Sequence, residues 1–192
     1  MTSPLLVVKG PDMSALSVPM EKTAWAHQVL ESLKATGSEG VAAVSFIESR
    51  RIIIGFSKQK VTGAKWSLDG NIYLNSNSFS LSTPPNHPFM LNLIAHEALH
   101  LKQGIATALS VYGELEAWQL GFHVFQSLGG MIYHSSLKEL MGLELSYDRD
   151  TLKKVRYLMQ DYAGKGYRID LLPCYPVWKE IRYFFTRRIP SS

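Results

Sequence analysis

The chain has 192 residues, 46% hydrophobic and 19% charged, enough apolar side chain to bury a core in one domain and too little charge for a disordered polypeptide. Its one cysteine, Cys174, excludes an internal disulfide, a cysteine-based zinc finger and an iron–sulfur cluster, and favours a reducing, cytoplasmic setting. The net charge of +4 lies wholly in the last third, where residues 138–192 hold 11 basic and 7 acidic side chains against 9 and 9 before them. That is a weak footprint for a nucleic-acid binder, so nucleic acid is disfavoured as a partner.

The amino-terminal stretch MTSPLLVVKGPD holds an apolar run too short for a signal-peptide core. No apolar run approaches the roughly 20 residues that a membrane-spanning helix needs, so no membrane partner is expected. Trp25, Val29 and Leu33 recur at helical spacing and predict a first helix over about Glu21–Ala35. After the Gly37–Gly40 turn, four short segments rich in β-branched and aromatic residues read as strands: Val41–Ile47, Arg51–Phe56, Ala64–Ser67 and Asn71–Leu74. Asp69-Gly70 between the last two suits a tight hairpin with positive φ at both central positions. A small, mainly antiparallel sheet over about residues 41–75 is the expectation.

Asn75–Pro85 is a loop by its Ser, Asn and Pro content. Pro88 then opens a helix over about 88–103 that is apolar on nearly every face and therefore buried, with Gly104 placed to end it. The remainder, about residues 110–188, reads as helical. Leu115, Trp118, Phe122 and Phe125 mark one helix, and Leu152, Val155, Met159 and Tyr162 another closed by Gly164. A last helix follows Pro176 with Trp178, Ile181 and Phe185 facing inward. Strands first and helices after predict a single α+β domain.

The chemistry lies in the buried helix, at His96-Glu97-Ala98-Leu99-His100. Residues four apart differ by about 40° around a helix, so both imidazoles leave the same side one turn apart, preset for one metal ion. Glu97, rotated by about 100°, stands beside the pair as a base. Chance would produce this HExxH pattern in roughly 1% of chains of this composition, and two buried histidines without a partner would be costly, so a metal is the simplest compensation. An HExxHxxGxxH site would need Gly at 103 and His at 106; Gln103 and Ala106 exclude it.

A third ligand then comes from a following helix, which offers Glu114 and Glu116. The arms of an antiparallel helix pair bring either level with the histidines, but residues two apart diverge by about 200°, so only one can serve. Glu116 is favoured, because the helix dipole alone accounts for an acid at 114.

Asn71-Ile-Tyr-Leu-Asn75 before a loop, HExxH on a buried helix and Glu116-Ala117 on the next resemble the gluzincin type of zinc metallopeptidase. The small intracellular ImmA/IrrE-like peptidases are the most similar members, over about residues 64–125. The resemblance implies a zincin-like fold with Zn2+ held by His96, His100 and Glu116. It also implies hydrolysis of a peptide or protein substrate by a zinc-bound water that Glu97 activates. The substrate would lie along Asn71–Leu74 as a sheet edge, bordered by the 75–85 loop. The aspartate that follows the third ligand by four residues in thermolysin-like members is replaced by Leu120. Tyr112, His123, Tyr133, His134 and Tyr147 qualify by chemistry as donors to an oxyanion, and nothing in the sequence selects one.

Bland roles suffice elsewhere: His27 on a surface, His87 at a helix start, Arg187 and Arg188 at a helix end, Cys174 without catalytic part. Two readings compete with the enzyme. One is a zincin-fold binding or regulatory module without turnover; the weaker one has the basic C-terminal helices contacting nucleic acid. The substrate sequence and the oligomeric state are not fixed by these residues.

Overall fold

The computed structural model describes residues 20–164 and 166–186; the amino-terminal apolar run and Arg187 and Arg188 lie outside them. Helix α1 (Met20–Lys34) forms for the expected reason, with Trp25, Val29 and Leu33 making one buried stripe. Helix α2 (Ser38–Arg50) stands where a strand over Val41–Ile47 was expected. Its buried residues, Gly40, Ala43, Val44 and Ile47, follow the helical period, whereas Val41 faces solvent. The β-branched content of that run suits a strand, and burial at a spacing of three and four overrides it. Arg51 ends α2 in the left-handed region at φ 54°, where its N–H and that of Ile52 donate to the Glu48 and Ile47 carbonyls.

Strands β1 (Ile54–Ser57), β2 (Ala64–Trp66) and β3 (Ile72–Asn75) form one sheet in the order β1-β3-β2. It is mixed, not mainly antiparallel: β3 runs parallel to β1, with Ile54 opposite Ile72, and antiparallel to β2, with Ala64 opposite Leu74. Five residues, 67–71, connect β2 to β3. Ser67 donates to the Asn71 carbonyl, Gly70 donates to the Ser67 carbonyl, and Gly70 alone has positive φ, at 79°. Because β3 is central, the segment expected to be a substrate edge is paired on both sides, and among the described residues the free edges belong to β1 and β2.

The metal-motif helix α3 (Pro88–Gln103) covers the sheet and shares a core with α1, α2 and all three strands. A four-residue helix α4 (Ile105–Ala108) turns the chain into α5 (Val111–Ser127). Helices α6 (Ser135–Met141), α7 (Arg149–Ala163) and α8 (Val177–Thr186) follow, with a short 3-10 turn at Ile169–Leu171. Leu115, Trp118 and Phe122 of α5 join a second core with α6 and α7, while Val124 belongs to the first. The α3–α5 pair therefore stands between two cores. Helix α8 buries none of its residues; Trp178 and Phe185, expected inside, are 76% and 79% exposed, and Ile181 is exposed too. Its anchors are polar and aromatic instead: Glu180 pairs with Arg149 at 2.8 Å, and the Tyr183 ring meets Tyr175 edge-on. No helix of the described residues is long and apolar enough to cross a membrane.

Candidate metal centre

Helix α3 is fixed at both ends by its own sequence. Pro88 occupies the first turn, His87 caps it by accepting the Met90 N–H at 3.2 Å, and Gly104 stops it at φ 74°. His96 and His100 thus project from one face, and their Nε2 atoms come to 2.9 Å with the rings edge to face.

Helix α5 brings the third donor because its backbone approaches α3 closely. A Cβ on Gly121 would stand 2.3 Å from Asn92 Oδ1 and 2.9 Å from the Asn92 carbonyl; one on Gly113 would stand 2.1 Å from the Thr107 carbonyl. Only glycine fits there. Ser110 caps α5 by accepting the Gly113 N–H, which starts the helix so that Glu114 lies in its first turn. Glu114 Oε1 then lies 3.5 Å from His100 Nε2 and Oε2 lies 3.7 Å from His96 Nε2. His96, His100 and Glu114 each offer a ligand atom, all within 4.8 Å of one another. A tetrahedral ion with bonds of about 2.0–2.1 Å holds its donors about 3.3 Å apart, and two imidazoles with one carboxylate are a donor set of catalytic zinc, so the residues fit such an ion.

Glu116, the favoured third ligand in the sequence, points elsewhere. It accepts from Gln103 Nε2 at 2.9 Å and lines a cavity of about 420 Å³ behind the α3–α5 pair, beside Glu39, Lys102 and His123. The reason lies in the connection. The chain leaves His100 four residues before Gly104 and returns from the Ser110 cap to Glu114 in four, so equal arms select Glu114. The helix-dipole argument for an acid at 114 is compatible with a ligand there and does not argue against one.

Burial dominates the electrostatics. It pushes His96 down to about 3, helped by the neighbouring His100 charge. For His100 burial works in the same direction, but the hydrogen bond and charge of Glu114 outweigh it and raise this ring. Burial would lift Glu114, yet the hydrogen bond from His100 and the charges of both histidines hold it below the usual range. Glu97 is lifted by burial to about 7, against the opposing Trp66 N–H and His100 charge.

The Glu97 shift has a sign that can be measured in the metal-free chain. The folded value of about 7 exceeds the ordinary 4.5, so between those pH values the folded state holds a proton that the unfolded chain has lost. Stability therefore falls as pH rises through that window and levels off above it. The loss is on the order of 3 kcal/mol. Comparing urea melts of wild type and Glu97→Gln from pH 4 to 8 should show the Gln variant gaining relative stability over that interval; parallel curves would contradict this account.

Glu97 Oε2 accepts the Trp66 N–H from β2 at 2.8 Å, and the residue lines a cavity of about 200 Å³ with His96. Its walls are residues 61–64, leading into the β2 edge, and Phe89, Trp118, Phe122, Tyr162 and Tyr167. None of the five expected oxyanion donors lines it. Tyr112 and Tyr147 stack on each other, His123 lies in the rear cavity, and Tyr133 and His134 line an adjoining aromatic hollow. The residue that sequence reasoning missed is Tyr167. It donates to Glu114 Oε2, accepts from Trp118 Nε1 at 2.9 Å, and is raised well above 10 by burial and by Glu114. It lies between Gly164 and the 3-10 turn with no periodicity around it, so no sequence signal marks it. His27 is exposed, and Cys174 is buried against Arg156.

Comparison with known proteins gives no match: no family model, no curated protein and no solved structure is significantly similar to the chain.

Proposed function

We propose that the chain is a zinc-dependent peptidase of the zincin type, with His96, His100 and Glu114 holding the metal and Glu97 acting as the base. The observation that carries this reading is the convergence of two imidazoles and a carboxylate next to a second, buried carboxylate at a free strand edge. Zinc, when bound, makes water more acidic and polarises a carbonyl oxygen.

Glu97 needs one oxygen anchored and the other available for proton transfer. The Trp66 N–H holds Oε2, and the buried carboxyl both accepts a proton from water and returns it to the leaving amine. The β2 edge supplies substrate alignment. Its odd-numbered residues pair with β3, since the Gly63 carbonyl accepts from Asn75 and Ser67 donates to Asn71. The Ala64 N–H and carbonyl and the Trp66 carbonyl therefore face away from β3, the Trp66 N–H being held by Glu97, and an extended peptide adds to these three groups as a further strand. Phe89, Phe122 and Tyr162 are shared with the aromatic hollow, which favours a bulky apolar side chain close to the scissile bond. The Tyr167 phenol, whose one proton goes to Glu114 in the metal-free chain, becomes the donor for the developing oxyanion by turning from that carboxylate.

Protein purified without chelator should carry about one zinc per chain, and peptide cleavage should stop on chelation and return with zinc. Tyr167→Phe should keep the zinc and slow turnover by about 10²–10³-fold, the loss typical of one oxyanion donor. A zinc-loaded chain that cleaves nothing in a mixed peptide library would be a binding module and not a peptidase.

A further inference from the structure

A metal-binding imidazole must offer a lone pair at one nitrogen, so the proton on the other nitrogen decides whether the ring can bind at all. For His100 the ligand atom is Nε2, and Nδ1 lies 3.0 Å from Gln103 Oε1. An amide oxygen only accepts, so it holds a proton on Nδ1, and when the ring gives up its other proton to bind a metal it presents the lone pair of Nε2. The assignment depends on which end of the Gln103 amide faces the ring. Turned over, its NH2 would donate to Nδ1, move the proton to Nε2 and close the ring to a metal.

Two acceptors hold the amide in place. Gln103 Nε2 donates to Glu116 Oε2 at 2.9 Å and to the Gly113 carbonyl at 3.1 Å. A reversed amide would set its oxygen against a carboxylate and a carbonyl, with no hydrogen between them. Glu116 supplies the charged, stronger of the two bonds.

We infer that Glu116 is a positioning residue of the metal centre: acting through Gln103, it fixes the Nδ1–H tautomer of His100 and so presents Nε2 to the ion. This rests on reading His96, His100 and Glu114 as a metal site. It also gives Glu116, which makes no contact with the ion's donors, a reason to stand beside Gln103 in a half-buried position. Partners of this kind contribute about 10–100-fold to metal affinity.

The test uses the full chain in four forms, wild type, Gln103→Leu, Glu116→Leu and Glu116→Gln, each with helix content checked by circular dichroism. Zinc affinity is read by competition with a chromophoric chelator. Ring tautomers are read by ¹⁵N NMR of the metal-free proteins at alkaline pH, where the rings are neutral. Gln103→Leu and Glu116→Leu should bind zinc about 10–100-fold more weakly and show His100 as a mixture of tautomers. Glu116→Gln should restore both properties, because its amide oxygen replaces the carboxylate oxygen as acceptor. Unchanged affinity and an unchanged His100 tautomer in Glu116→Leu would overturn the relay. So would complete loss of zinc in Glu116→Gln, since that marks a ligand. If wild type binds no zinc, the metal reading fails by itself; the relay then stands or falls on whether Glu116→Leu scrambles the His100 tautomer.

Discussion

Glu97→Gln is expected to lower peptide hydrolysis by about 10²–10⁴-fold while zinc content stays at that of wild type. The substitution keeps the size of the side chain, and its amide oxygen still accepts the Trp66 N–H that anchors Glu97 Oε2. What disappears is the proton acceptor. The carboxylate is not among the three converging ligand groups, so the metal should be unaffected. In the metal-free chain burial raises Glu97, and a base of raised proton affinity also serves as the acid of the reverse transfer. Steady-state kinetics on a peptide cleaved by wild type, with zinc measured on the same samples, gives the answer. Wild-type turnover in the Gln variant would remove Glu97 from the chemistry and with it the peptidase reading.

The second large effect separates the two glutamates of α5. Glu114→Ala should cost far more zinc affinity than the roughly 10–100-fold expected of a residue outside the coordination sphere, whereas Glu116→Ala should stay within that range. Glu114 has an oxygen within 3.5 Å of His100 Nε2 and another within 3.7 Å of His96 Nε2. Glu116 instead meets the amide of Gln103. Removing Glu114 also leaves Tyr167 and two buried imidazoles without their acceptor, so the variant should lose any thermal stabilisation by zinc. Equal zinc binding by the two variants, measured by chelator competition, would reject Glu114 as the third ligand.

How much of this was legible in the residues depends on the range of the interaction concerned. Helices α1 and α3 were readable because a 3.6-residue period records itself within a few turns, and the pairing of His96 with His100 is a property of one helix alone. His87 and Gly104 sit where local capping chemistry puts them. Helix α2 was misread because Val41–Ile47 is a short run, and a short apolar run fits a strand or a buried helix equally until its neighbours are known. Strand β3 carried the right composition for a strand, but its central place follows from β1 joining it in parallel from 18 residues away.

The outward face of α8 belongs to the same class of difficulty. Trp178, Ile181 and Phe185 form a clear apolar stripe, and a stripe says which side of a helix is apolar without saying whether anything covers it.

What the sequence determined by itself is the placing of His96 and His100 on one side of a helix with Glu97 beside them, because their directions are set by backbone geometry within a span of five residues. What only the tertiary structure decided is what surrounds the pair: Glu114 and not Glu116 beside the two imidazoles, Tyr167 at the Glu114 carboxylate, and β2 as an edge strand. Each of these depends on how closely two elements distant in sequence approach. For α5 against α3 that distance is set at Gly121, whose missing side chain lets it meet the Asn92 backbone, and Gly113 does the same against Thr107 of α4.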